Sequence, residues 1–109
     1  MDTLALCRIA PGDHYLIHGR STAYAVRRSE DESLWVARVP GYVWSPLWGV
    51  VAVGDAGCEA GVIRVGSAHR YHRGSRDCTY TQGAAVSITS ATAGEIHALL
   101  AASRARLGV

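Results

Sequence analysis

The chain has 109 residues, of which 49% are hydrophobic and 18% charged, and its formal net charge is +2. That balance excludes a disordered chain and supplies one apolar core, so a single domain over 1–109 is expected. No segment approaches the roughly eighteen uninterrupted apolar residues of a membrane span, and "MDTLALCRIAPGDHY" has neither the basic start nor the apolar run of a secretory leader. With Cys7, Cys58 and Cys78 odd in number and far apart, reduced thiols in a cytoplasmic protein are the expectation.

Turn residues recur along the chain at the short intervals of a β-rich fold. "TLALCRIA" (3–10) is an apolar run ended by Pro11 and Gly12. "HYLIH" (14–18) and "TAYAVRR" (22–28) flank Gly19, Arg20 and Ser21, the arrangement of a tight hairpin. After the polar turn "SEDE" (29–32), "SLWVARV" (33–39) places Trp35, Ala37 and Val39 on one face and Leu34, Val36 and Arg38 on the other. Pro40 and Gly41 end it. "LWGVVAV" (47–53) is almost wholly apolar and reads as a central strand covered on both faces. "GDAG" (54–57) turns the chain into "AGVIRVG" (60–66) as a hairpin partner. "AHRYHRGSRDCTYTQG" (68–83) reads as an exposed insertion, and "AAVSITS" (84–90) as the last strand. A helix closes the chain. Thr92 and Glu95 have capping-box spacing, and Ile96, Leu99, Leu100, Ser103 and Leu107 form one stripe. Arg104, Arg106 and Gly108 suit its C-terminal end. The expected fold is α+β: a twisted, mainly antiparallel sheet of about six or seven short strands with the C-terminal helix packed on it. A closed small barrel is the alternative.

Charge is unevenly placed. Residues 1–60 hold five Arg against seven acids; residues 61–109 hold six Arg against two. Every cation is Arg, since Lys is absent. A GC-rich coding bias accounts for that, but each cation is still a planar fork that fits phosphate or carboxylate. The excess gathers in 64–80, where Arg64, His69, Arg70, Tyr71, His72, Arg73 and Arg76 surround a Gly-Ser turn. Such a segment can contact phosphates or an acidic protein surface, with Tyr71 or Tyr80 stacking on bases. The plain alternative is a solvated connection. A second candidate is "GYVWSPLWG" (41–49), where Tyr42, Trp44 and Trp48 surround Pro46. These rings either cover one end of the core or form a stiff aromatic knob of the kind that dominates binding hot spots.

The same residues admit two further chemistries. His69 and His72, with Cys58 and Cys78, offer zinc-type donors, but the spacing matches no zinc module, and no metal or cofactor is assigned. A small endoribonuclease could use His69 or His72 as base, Tyr71 as acid and Arg70 or Arg73 against the phosphorane. No nucleophile elbow, metal-binding helix motif, phosphate loop or close carboxylate pair accompanies them. The preferred expectation is therefore a small non-catalytic binding or inhibitor protein acting by contact or occlusion. It would use Arg64, His69, Arg70, Tyr71, His72, Arg73, Arg76, Tyr42, Trp44 and Trp48. The partner would be a protein, with nucleic acid as the other choice and a homodimer through an edge strand or the aromatic segment also compatible. Small motif-free chains of this composition are often phage or mobile-element accessory proteins.

Overall fold

The structure, a computed structural model, describes residues 1–39, 43–54, 59–75 and 78–106, with side chains to residue 102. Nine strands and one helix are formed among them: β1 (Thr3–Ala5), a 3-10 turn (Leu6–Arg8), β2 (His14–His18), β3 (Ala23–Arg28), β4 (Leu34–Val39), β5 (Ser45–Ala52), β6 (Val62–Arg64), β7 (His69–Arg73), β8 (Thr79–Gln82), β9 (Ser87–Ala91) and α1 (Ala93–Arg106). Seven strands build one sheet in the order β8-β7-β5-β4-β3-β2-β9, and β1 pairs with β6 in a second. All recorded pairings are antiparallel. This is the expected α+β architecture, but β8 and β9 remain its two ends, so the barrel alternative is not realised.

The early hairpins follow the sequence pattern. His18 pairs with Ala23 and His14 with Arg27, and the turn carbonyl of Thr22 accepts from Gly19 N–H at 2.8 Å. Ala25 and Ala37 face each other, as do Val26 and Val36. One face of β2–β3–β4 therefore carries Ile17, Tyr24, Val26 and Val36, all buried in the larger core with Leu47, Val50, Tyr71 and Ile88. Leu4 and Ile63, from the two-stranded sheet, close the open side of that core. The opposite face carries Ala25, Ala37 and Val39, small enough to let Ile96 and Leu100 of α1 seat directly on the sheet. Thr92 caps the helix as its spacing implied: its Oγ1 accepts from Glu95 N–H at 3.1 Å and donates to the Glu95 carboxylate at 3.1 Å. Leu99 is only partly covered. Leu107 and Gly108 lie outside the described residues, and the Ser103, Arg104 and Arg106 side chains lie beyond those described.

Three expectations are corrected. The first apolar run is a strand for only three residues before it tightens into the 3-10 turn. There the Arg28 guanidinium donates to the Leu6 carbonyl at 2.9 Å and the Glu32 carbonyl at 2.6 Å, and also to the Ile9 carbonyl. Second, β6 pairs with β1 and not with β5 as a hairpin, although Gly61 N–H reaches the Val50 carbonyl at 2.7 Å. Third, the segment expected to be an exposed insertion contains two strands. β7 lies inside the sheet between β5 and β8. Strand alternation then divides its side chains: His69 and Tyr71 are both 0% exposed, while Arg70 is exposed.

Candidate functional site

β5 changes partner along its length, and that change shapes the site. Ser45 and Pro46 pair with β4, whereas Leu47 to Ala52 pair with β7. A register irregularity between Leu47 and Gly49 marks the transition. Trp48 sits in this bulge, so β5 is not covered on both faces: Trp48 is 51% exposed. Its indole Nε1–H donates to the Gly74 carbonyl at 2.7 Å, and Gly74 N–H returns to the Pro46 carbonyl at 2.9 Å. Gly74 begins the β7–β8 turn with φ 72°, a left-handed conformation that glycine adopts without a Cβ penalty. The turn of the cationic hairpin thereby fixes the exposed indole. Beside it, where β5 diverges from β4, lies a cleft of about 750 Å³. Trp48, His72, Val51, Cys7, Arg8 and Glu59 are among its walls. Arg70 lies one row further, opposite Val51 on β5 and Thr81 on β8.

The inward side of β7 does different work. The Tyr71 hydroxyl donates to Gln82 Oε1 at 2.7 Å, and Gln82 Nε2 donates to the Ile17 carbonyl at 3.2 Å. The first bond joins neighbouring strands, and the second ties the end of β8 to β2 across the curl of the sheet. Tyr71 also stacks on Tyr24, with centroids 4.4 Å apart and planes at 16°. Burial pushes its hydroxyl far above the ordinary tyrosine value. His69 Nε2 accepts from Arg64 N–H at 3.2 Å, which places the proton of the neutral ring on Nδ1. Burial lowers its basicity, opposed by the Ser67 backbone. His69 and Tyr71 are thus structural groups, out of reach of a partner or substrate. Of the groups that the endoribonuclease reading named, Tyr71 as acid and His69 or His72 as base, only His72 is partly exposed.

The sequence-derived site residues therefore separate into groups. Arg70, His72 and Trp48 come together on or beside the cleft. Arg64 is exposed on β6, and its backbone N–H donates to His69. Arg73 points inward, opposite to His72, and lies over the rings of Tyr80 and Tyr24 at 4.0 and 5.7 Å. Trp44 is engaged elsewhere: Arg27 stands over it at 4.8 Å and over Trp35 at 5.7 Å, against the helix side of the sheet. Among the described residues, Trp48 is where the aromatic and cationic segments share a surface. Tyr42 and Arg76 lie outside the described residues.

The zinc-type reading meets a geometric obstacle, because His69 and His72 project from opposite faces of one strand. Among the described residues no group of three metal-ligating side chains converges, and Cys58 lies outside them. Cys7 and Cys78 are free thiols. No described helix is long and apolar enough to cross a membrane. Sequence reasoning missed the contribution of Cys7, Arg8 and Glu59 to the cleft, because only tertiary packing brings the 3-10 turn and the segment before β6 to β5. Comparison of the chain with family models, curated proteins and solved structures gave no match.

Proposed function

We propose that this is a non-catalytic contact protein that engages an acidic protein partner through the cleft beside Trp48, occluding the surface it covers. The fixed indole is the observation that carries this reading. Trp48 is 51% exposed while its only polar atom already holds a 2.7 Å hydrogen bond to Gly74. An aromatic side chain in that state presents apolar area without an unmet N–H, and little rotamer freedom is left to lose on docking. Arg70 and His72 next to it supply donors for carboxylates. Trp and Arg are the residue types most enriched among interface hot spots.

The test is quantitative capture of a binding partner from source-cell extract by the tagged full chain, compared with Trp48→Ala and Arg70→Gln. Each substitution at a hot spot should cost about 2 kcal/mol or more of binding, a roughly thirty-fold loss of affinity. Arg70→Gln should keep the urea midpoint, whereas Trp48→Ala, which also loses the bond to Gly74, should give up about 1 kcal/mol of stability and stay folded. Undiminished capture by both variants would refute the proposal. So would RNA cleavage by the pure protein that disappears in His72→Ala.

A further inference from the structure

The inward end of β7 holds a second constellation, separate from the cleft. Tyr71, Tyr24, Arg73 and Tyr80 form a continuous series of ring contacts running from the core to the surface. Tyr71 stacks on Tyr24 at 4.4 Å, and the Arg73 guanidinium lies between Tyr24 at 5.7 Å and Tyr80 at 4.0 Å. Exposure rises along the series, from 0% at Tyr71 and 3% at Tyr24 to 42% at Tyr80. Arg73 Nε is buried without a hydrogen-bond partner among the described residues, and the guanidinium is held by the stack. A second cation reaches the same place: Arg38, exposed on β4, is the direct cross-strand partner of Tyr24. The positive charges of Arg73 and Arg38 both act on the Tyr24 hydroxyl, against the effect of its burial.

We propose that this rim binds a nucleotide unit, its phosphate held by Arg38 and Arg73 and its base stacked on Tyr80. Two guanidinium forks from different strands suit a phosphate's several oxygens. One side of the Tyr80 ring is taken by Arg73, and its exposed remainder offers an aromatic surface to a base. Stacking on such a ring tolerates any base. The two sources of a nucleotide unit are single-stranded nucleic acid and a free nucleotide, and they differ in salt dependence and in the gain from chain length.

Fluorescence anisotropy with a labelled single-stranded oligonucleotide, competed by AMP, tests this on the full chain. Tyr80→Leu should weaken binding by roughly ten-fold or more. Arg38→Gln should weaken it and reduce the slope of log affinity against log salt by about one. Both residues are exposed, so neither variant depends on the fold tolerating a core change, and circular dichroism verifies this. His97→Gln, exposed on α1 across the sheet from this rim, should bind as wild type. Competition by AMP in proportion to its nucleotide content identifies the free nucleotide as the natural form; much tighter, salt-sensitive oligonucleotide binding identifies the polymer. Absence of binding to both probes overturns the proposal, as does binding that survives Tyr80→Leu and Arg38→Gln. Either failure leaves the cleft beside Trp48 untouched, since Trp48→Ala and Arg70→Gln read that surface alone.

Discussion

Gln82 is 1% exposed and holds three bonds: it accepts from the Tyr71 hydroxyl of neighbouring β7 at 2.7 Å and, across the curl of the sheet, donates toward the carbonyls of Ile17 at 3.2 Å and Thr22 at 3.4 Å. Replacing it by Leu preserves much of the volume but leaves the Tyr71 hydroxyl stranded in the core. An unmet buried donor costs about 1–3 kcal/mol, and the two longer bonds add less, so Gln82→Leu should lose about 2–4 kcal/mol. Tyr71→Phe removes the donor and leaves Gln82 Oε1 unmet, for about 1–3 kcal/mol. The same bond is counted in both single variants. The double variant should therefore be less destabilised than their sum, by about 1–2 kcal/mol. Urea unfolding followed by tryptophan fluorescence measures all four proteins. Strict additivity within about 0.5 kcal/mol would refute the reasoning, because it would mean the two side chains do not share a bond. Gly19→Ala should resemble Gln82→Leu, since a Cβ there would meet the Thr22 carbonyl at 2.9 Å and Gln82 Nε2 at 3.1 Å.

The remaining predictions concern titration and the helix. Burial holds His69 below its ordinary value of 6.5, so on acidification the unfolded chain takes up this proton before the folded one. The contribution of His69 is intact above its unfolded value and is lost as pH falls below it toward the lowered folded value. The urea midpoint should drop between about pH 7.5 and pH 5.5, and less steeply in His69→Gln; equal slopes would contradict the assignment. Ile96→Ala should cost about 2–4 kcal/mol in the same unfolding assay, and Leu99→Ala distinctly less, since Ile96 is 2% exposed and Leu99 only partly covered. Thr92→Ala should cost about 1 kcal/mol by loss of the cap, seen as a lower melting temperature.

Elements whose inward residues are aliphatic were legible in the sequence. "HYLIH" is β2 residue for residue, and β3 and β4 begin one residue later than their alternation implied. The cap at Thr92 and the Ile96–Leu100 stripe were equally plain, because both depend on local spacing. β7 was not legible as a strand because its inward residues are His69, Tyr71 and Arg73, which carry polar groups satisfied or covered only by distant partners. A weaker signal was present: three positions two apart around Tyr71, and a following "TYTQ" rich in strand-forming residues. The site was half legible for the same reason. Arg70, His72 and Trp48 stood out by residue type, but which of the neighbouring His, Arg and Tyr turn inward depends on the pairing of β7 between β5 and β8. The departure of β5 from β4, which opens the cleft, comes from tertiary packing and left no local mark.

The division of one short strand between core and contact surface can be read directly by substituting residues 69 to 72 one at a time, with Trp48→Ala beside them, and measuring stability and partner capture on each variant. His69→Ala and Tyr71→Ala should lower the urea midpoint strongly, while Arg70→Ala and His72→Ala should keep it and lose capture, and Trp48→Ala should lose capture with only the modest loss of stability that its bond to Gly74 carries. Loss of capture without alternation along the strand, or a stable Tyr71→Ala, would contradict the placement of β7 within the sheet and the contact surface built on it.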